Sequence, residues 1–374
     1  MIRIEPVHDR VGLKQFVQFP SGLYKADPAW VPPITVERLH FYSKKNPYFD
    51  HARWQCWLAY RGKMLVGRIS AQIDELHLAR YDSRIGFFGS LEAEDSVEVF
   101  QALFEAAEGW LQAEGMTAVQ GPFNLSINQE CGLLIKGYDD PPMVMMGHAR
   151  PYYPKHVEAM GYQKVQDMLA YRIGIDFPLP SGVARFLNKA KDSVRIRPLR
   201  RGHLQEELSI IKEIFEEAWA ENWGFVPFTK AEFAELGQQM KLLVEDDFVQ
   251  IAEIDGIPSA MLVAFPNLHE VIHDLDGRLW PWGWFKILWR LKVGYPKTGR
   301  VALMGVRPRF QASPMGALMA YGMIEAVRQA GLRKKIEHVE LSWILEDNKR
   351  MSHILESLGA ESYKTYRVYE KALN

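Results

Sequence analysis

The sequence predicts a mixed α/β protein of the α+β type, built as two similar domains, each a twisted, mostly antiparallel sheet flanked by helices. Three observations carry this expectation. The chain has 374 residues, too many for one ordinary core and right for two. Apolar residues make up 48% and charged residues 24%, the balance of a chain that buries a core rather than staying disordered. Above all, one order of elements occurs twice.

The repeat opens with a short strand, Ile2-Arg3-Ile4-Glu5-Pro6-Val7, matched by Val194-Arg195-Ile196-Arg197-Pro198-Leu199. A helix follows in each copy, Val11–Tyr24 and Leu204–Asn222. Next comes a hairpin. Trp54–Tyr60, Arg61-Gly62-Lys63 and Met64–Gln72 match Phe248–Ile254, Asp255-Gly256-Ile257 and Pro258–Phe265; Asp-Gly is a strong turn signal and Arg-Gly-Lys a weaker one. Then each half reads strand, amphipathic helix, strand: Ile85–Leu91, Val97–Glu114 and Ala118–Gly121 in the first, Arg300–Val306, Met315–Gln329 and His338–Leu345 in the second. Both close on a helix ending in glycine and a last strand, Gly161 with Tyr171-Arg172 and Gly359 with Tyr366-Arg367. Pro6/Pro198, Gly62/Gly256 and Gly161/Gly359 stand at offsets of 192, 194 and 198 residues, a steadiness that points to duplication. The boundaries expected are 1–176 and 194–374, joined by a linker over 177–193 that begins Phe-Pro-Leu-Pro-Ser-Gly.

The chemistry concentrates in Val301–Leu318, an apolar strand, a turn and a helix start. Such a turn presents backbone N–H groups and the positive end of a helix dipole, a setting suited to a pyrophosphate. Val306-x-Pro308-x-x-Gln311-x-x-x-x-Gly316 resembles the signature of the GNAT N-acyltransferases, and Asn348 followed by Gly359 resembles that family's next helix. The resemblance implies an acyl-CoA or acetyl-CoA co-substrate. Met304, Gly305 and Val306 would lie along the pantetheine arm, Gln311, Ala312, Ser313, Met315, Gly316 and Ala317 around the pyrophosphate, with Asn348 beside them. It departs from the pattern at Pro314, which stands at the first signature glycine and has no N–H to donate, at Ala312, and at Leu355, where the family has a general-acid tyrosine. In the first half the equivalent segment, Leu91–Val97, has three acids and no glycine; acids repel a pyrophosphate, so no CoA site is expected there.

Acyl transfer to an amine needs a base, a polarised thioester and a proton for the leaving thiolate. Glu270 and Glu340 are the candidates for the base, each also readable as an ordinary strand-end acid. His269-Glu270-Val271-Ile272-His273 has the zinc-protease spacing, but Pro266 and Asp274-Leu275-Asp276-Gly277 leave room for little more than one helical turn, and no metal is expected. Leu279–Val293 holds four of the eleven tryptophans; it reads as a helix packed on the domain, a lid over an acyl chain, or an interfacial anchor. Gly121–Asn128 caps turns or lines a second pocket, and His148, Tyr152 and Tyr153 are core or cleft aromatics.

A net charge of −1 gives no overall field for nucleic acid, two distant cysteines suit a reducing compartment, and neither a leader peptide nor a membrane span is evident. A cytoplasmic acyl-CoA-dependent N-acyltransferase is the expectation, acting on a small amine-bearing molecule from the second domain's cleft. Two alternatives stay open: a transferase using aminoacyl-tRNA, and a ligand-binding module without catalysis.

Overall fold

A computed structural model of the chain describes residues 1–179, 181–190 and 193–373. Pro180, Lys191 and Asp192 of the expected linker lie outside the described residues. In chain order the elements are β1 (Ile2–Pro6), α1 (Arg10–Leu23), α2 (Thr35–Phe41), β2 (Ala52–Arg61), β3 (Met64–Asp74), α3 (Glu75–Tyr81), β4 (Ile85–Ala93), α4 (Val97–Ala113), β5 (Ala118–Gly121), β6 (Phe123–Asn124), β7 (Glu130–Cys131), β8 (Leu133–Lys136), α5 (Tyr153–Ala159) and β9 (Gln163–Gly174). There follow α6 (Ser181–Ala190), β10 (Arg195–Pro198), α7 (Leu204–Trp219), α8 (Lys230–Leu243), β11 (Val249–Ile254), β12 (Ile257–Pro266), α9 (Leu268–Ile272), α10 (Gly283–Lys292), β13 (Thr298–Val306), α11 (Pro308–Gln311), α12 (Pro314–Lys334), β14 (His338–Leu345), α13 (Lys349–Ser357) and β15 (Glu361–Ala372).

Two compact units result. One comprises Met1–Leu169, Ile272–Phe285 and Lys364–Asn374; the other comprises Ala170–Val271 and Lys286–Tyr363. The end of the chain therefore belongs to the first unit, and part of the expected linker is helix α6.

In the first unit β1 to β4 form antiparallel pairs in sequence order, and β5 joins β4 in parallel. Helix α4 covers the sheet with Val99, Phe100, Leu103, Phe104, Ala107 and Leu111, the buried side of a 3.6-residue period. The far edge of β5 is taken by the chain's last strand, with Tyr369–Ala372 antiparallel to Gly121–Ala118. Arg367 grips Asp167 with two hydrogen bonds of 2.8 and 3.0 Å, and Lys371 reaches both oxygens of Glu108 at 2.9 and 2.8 Å.

The second unit repeats the frame: β10, β11, β12 and β13 are antiparallel in that order, and β14 lies parallel to β13. The Asp-Gly hairpin is realised at Asp255 and Gly256, both with positive φ (51° and 77°), between paired Ile254 and Ile257. Helix α12 buries Leu318, Met319, Met323, Val327 and Ala330. Helix α7 is held at its start by a buried carboxylate. Glu207 accepts from Arg197 at 2.7 Å and from Arg200 at 2.7 Å, and Arg197 also donates to Glu253 at 2.6 Å. Burial on its own would raise the Glu207 carboxyl, but the two arginines outweigh it and hold that group below its ordinary value.

Two outcomes are expected. A fragment of residues 1–176 lacks the strand that completes its sheet, so it should give a circular-dichroism melt without a cooperative transition, recovered when residues 361–374 are added in trans. Glu207→Gln should cost about 1–3 kcal/mol at neutral pH, because buried Arg197 loses one of its two carboxylate partners and keeps only Glu253. A depressed carboxyl stabilises above its unfolded value and loses that contribution as pH falls, so in urea titrations the gap between parent and variant should close below about pH 4.5.

Candidate active site

The pairing of β13 with β14 covers only Thr298–Val301 against His338–Leu341, although β13 runs on to Val306 and β14 to Leu345. On its other edge β13 slips register against β12 between Val263 and Ala264, which leaves Ala302 as an extra residue. A bulge of this kind bends its strand, and here it falls where the two parallel strands part. Beyond the parting, Leu303 and Met304 on β13 and Trp343 and Ile344 on β14 are only half-buried. Main-chain groups of residues 302–306 that turn away from β12 find no partner strand in β14.

The turn after β13 is a compact, self-bonded structure. Arg307 ties its base to Pro258 O at 3.0 Å and to Glu213 and Glu217 of α7. Gln311 Nε2 donates back to Val306 O at 3.0 Å. Ser313 caps α12, its Oγ accepting from Gly316 N at 3.2 Å while donating to Phe310 O at 2.8 Å. A Cβ on Gly316 would overlap the carbonyl of Phe310, so only glycine lets the helix start this close to the turn. Pro314 is tolerated as the first helical residue, as its missing N–H has no intrahelical role there. The Gly316 amide is thus engaged by Ser313, and the turn offers fewer free donors than its outline suggests.

Because β13 and β14 are parallel, the helices that follow them start at the same end of the sheet. Asn348 marks the second start as the cap of α13, accepting from Met351 N at 3.1 Å. Gly305 faces α7, where a Cβ would run into the ring of Trp219. Trp219 in turn belongs to an aromatic group with Phe215 (5.0 Å between centroids), which also contacts Phe225 and Phe228 (5.5 Å each).

Glu270 and Glu340 are not brought to the same place. Glu270 lies at the opposite end of β13 from Val306. Its carboxylate accepts from Lys297 N (2.8 Å), Thr298 N (2.9 Å) and the Thr298 hydroxyl, so it fastens the start of that strand. The short helix α9 that carries it ends before His273, and no group of three His, Cys, Asp or Glu able to hold a metal occurs among the described residues. Glu340 stands directly across from Arg300, one pair before the parting. It is fully buried, accepting from Ser342 Oγ and Tyr363 OH, while Arg300 Nε bonds Ser342 Oγ at 2.7 Å and lies 3.8 Å from the carboxylate. Tyr363 is half-buried, so its hydroxyl connects the carboxylate towards the surface. The sequence could have shown Arg300 from strand register; Tyr363 and Ser342 carry no local signal.

The corresponding place in the first unit is filled. There β4 and β5 pair over Ile85–Phe87 and Ala118–Gln120, and β4 then bulges, with Ser90 at φ 49°. A Cβ on Gly89 would overlap the carbonyl of Phe123, and one on Gly121 that of Phe88. Main chain therefore lies against main chain where the second unit parts its strands. Strand β4 also extends to Ala93, so Glu92 of the expected acidic loop points inward. It accepts from Tyr24 and Tyr153 hydroxyls at 2.7 Å each, and burial raises its carboxyl. The Gly121–Asn128 segment does cap turns: Asn124 Oδ1 accepts from Ser90 N at 2.7 Å, and Ser126 Oγ accepts from Asn128 N at 3.2 Å. His148 is a core group bonded to Asp27 at 3.0 Å, and Tyr152 donates to Ala93 O at 2.7 Å.

No family model matches the chain. It is 49% identical over 362 residues to protein YghO of Escherichia coli (strain K12), covering 96% of this chain and 93% of that one. It is 44% identical over 375 residues to a bacterial ceramide synthase of Caulobacter vibrioides (strain NA1000 / CB15N), covering 100% and 98%. Among solved structures it resembles a tandem GNAT protein from the clavulanic acid biosynthesis pathway, with a TM-score of 0.59 at 12% identity over 100% of this chain and 99% of that one. It also resembles a GCN5-related N-acetyltransferase from Sphaerobacter thermophilus, with a TM-score of 0.55 at 13% identity over 99% and 96%.

The glycine contacts can be tested by stability alone. Gly316→Ala and Gly89→Ala should each lower the unfolding free energy by about 1–3 kcal/mol, since the overlapping atom is backbone. Gly22→Ala, in α1 with open space around it, should be neutral or stabilise by up to about 1 kcal/mol.

Proposed function

The chain belongs to one family with protein YghO and the bacterial ceramide synthase and has the tandem GNAT fold, and from that premise we propose that it moves an acyl group from an acyl-CoA thioester to an amine. The observation that carries this reading is the parting of β13 from β14 behind the Ala302 bulge, leading into a glycine-tight turn and the N-terminus of α12. Main-chain groups at Met304, Gly305 and Val306 would receive the pantetheine arm. Gln311, Ala312, Ser313, Met315, Gly316 and Ala317, with Arg309 exposed beside them, would meet the phosphates. Asn348 would flank the opening.

Ceramides are N-acylated long-chain amino alcohols, so the relative's name points to a long-chain acyl donor and a lipid-like amine. The half-buried Leu303, Met304, Trp343 and Ile344, and the aromatic group around Phe215 and Trp219, suit such a substrate. In the transfer, the amine nitrogen bonds to the thioester carbonyl carbon and the carbon–sulfur bond breaks. A main-chain N–H beyond the bulge stabilises the developing oxyanion. Glu340 takes one proton from the ammonium before attack, with the Tyr363 hydroxyl as its link to the cleft, and the proton that the nitrogen sheds as the adduct collapses passes to the departing CoA sulfur. Glu270 has no part in these steps; its oxygens stay with Lys297 and Thr298.

Pro314 and the Ser313 cap favour one competing reading, a module that binds the thioester without turning it over. Release of free thiol, followed with palmitoyl-CoA or acetyl-CoA and sphinganine, separates the two. Turnover should be seen with the long-chain donor. Glu340→Gln should lower kcat by about 10²–10⁴-fold with little change in KM for the thioester. Thioester binding with no thiol release for any amine would select the module, and thiol release that survives Glu340→Gln would remove that residue from the mechanism.

A further inference from the structure

Segment Leu279–Val293 is neither used by the transfer chemistry nor hidden by the fold. Helix α10 turns Leu291 inward, and Arg290 donates to Val271 O at 2.6 Å, which fixes the helix's inner side. Its outer side and the turn before it carry Trp280, Trp282, Trp284, Phe285, Leu288 and Trp289, with exposures from 42% at Trp284 to 77% at Trp280. Scattered apolar residues on a surface need no explanation, but six large ones within ten residues form a patch of the kind that marks an interaction site.

The chemistry of the patch selects its occupant. Residues 278–293 contain four lysines and arginines and no aspartate or glutamate, with Asp274 and Asp276 just before them. Arg278, Lys286 and Lys292 are exposed around the aromatic residues. Tryptophan, with an apolar body and one N–H donor, prefers the boundary between headgroups and acyl chains. A short helix with such residues outward and cations beside them lies in the plane of a negatively charged bilayer surface. A second copy of the chain would bring a like-charged patch against this one, which opposes self-association. No helix of the described residues is long and apolar enough to cross a membrane, so contact would be at one leaflet's surface.

We propose that residues 278–293 form a docking surface for an anionic lipid bilayer, with the tryptophans inserted at headgroup level and the flanking cations on acidic phosphates. The proposal does not depend on the acyl-transfer reading, and its test uses vesicles containing neither CoA nor an amine substrate.

The full chain is sedimented with phosphatidylcholine vesicles, with or without about 30% phosphatidylglycerol. Expected is binding at least about tenfold tighter to the anionic vesicles, weakened by salt. Trp280→Ala/Trp282→Ala removes two side chains exposed by 77% and 70%, so the thermal midpoint should hold while affinity falls at least about tenfold. Lys286→Glu/Lys292→Glu should lose affinity for anionic vesicles by a similar factor and bring it to the level seen on neutral ones. No binding to the anionic vesicles, or binding left unchanged by both variants, overturns the proposal. So does light scattering that finds a dimer of the parent chain broken by the tryptophan variant, since the patch would then be covered by another copy.

Discussion

Two parallel strands that stop pairing govern what the second unit can do. β13 and β14 share four register pairs and then separate, while the Ala302 bulge bends β13 against β12 at that point. A parallel pair in a continuous sheet would spend those main-chain groups on each other; here β13 and β14 do not. The surrounding parts are arranged to keep this opening in shape. Glu270 fastens the strand's start, Arg307 fastens its exit to α7, and Gly305 admits Trp219 of that helix at close range. The Glu207 cluster sets where α7 begins. Each contact bears on the direction in which β13 leaves β14.

The duplicated frame reaches opposite ends in the two units through main-chain geometry rather than through polar side chains. Both carry a bulge in the strand that precedes the parallel partner. In the second the strands part behind it; in the first the chain folds back over it, with Gly89 and Gly121 admitting the Phe123 and Phe88 carbonyls. Acidic residues in the following loop suggest the same contrast for a different reason, namely charge. The charge argument is incomplete, since Glu92 lies inside among tyrosine hydroxyls rather than facing a phosphate.

Much of this was legible in the sequence because it is local. The hairpin at Asp255-Gly256 and the strand–turn–helix at Val306–Gly316 each follow from neighbouring residues. Helices α2 and α8 have little sequence signal: α2 has no buried residue, and α8 shows only a weak apolar face. Glu270 reads as a base because an acid at a strand end is a reasonable one; that its oxygens accept from two backbone amides 27 and 28 residues further on has no local signal. The Tyr363–Glu340–Ser342–Arg300 chain joins residues of three strands and could not be read from spacing. Nor could the partner of β5, since a repeat predicts that each half completes itself, and ion pairs such as Arg367–Asp167 bind across 200 residues of chain.

The interlocked carbonyls of the first unit also bear on the history open to this fold. When a duplicated pocket fades by exchanging side chains, a few reversions can reopen it. In the first unit main chain fills the corresponding place, so opening a cleft there would require moving an entire segment at once. A change of that size is a ratchet in one direction, since single side-chain exchanges cannot undo it.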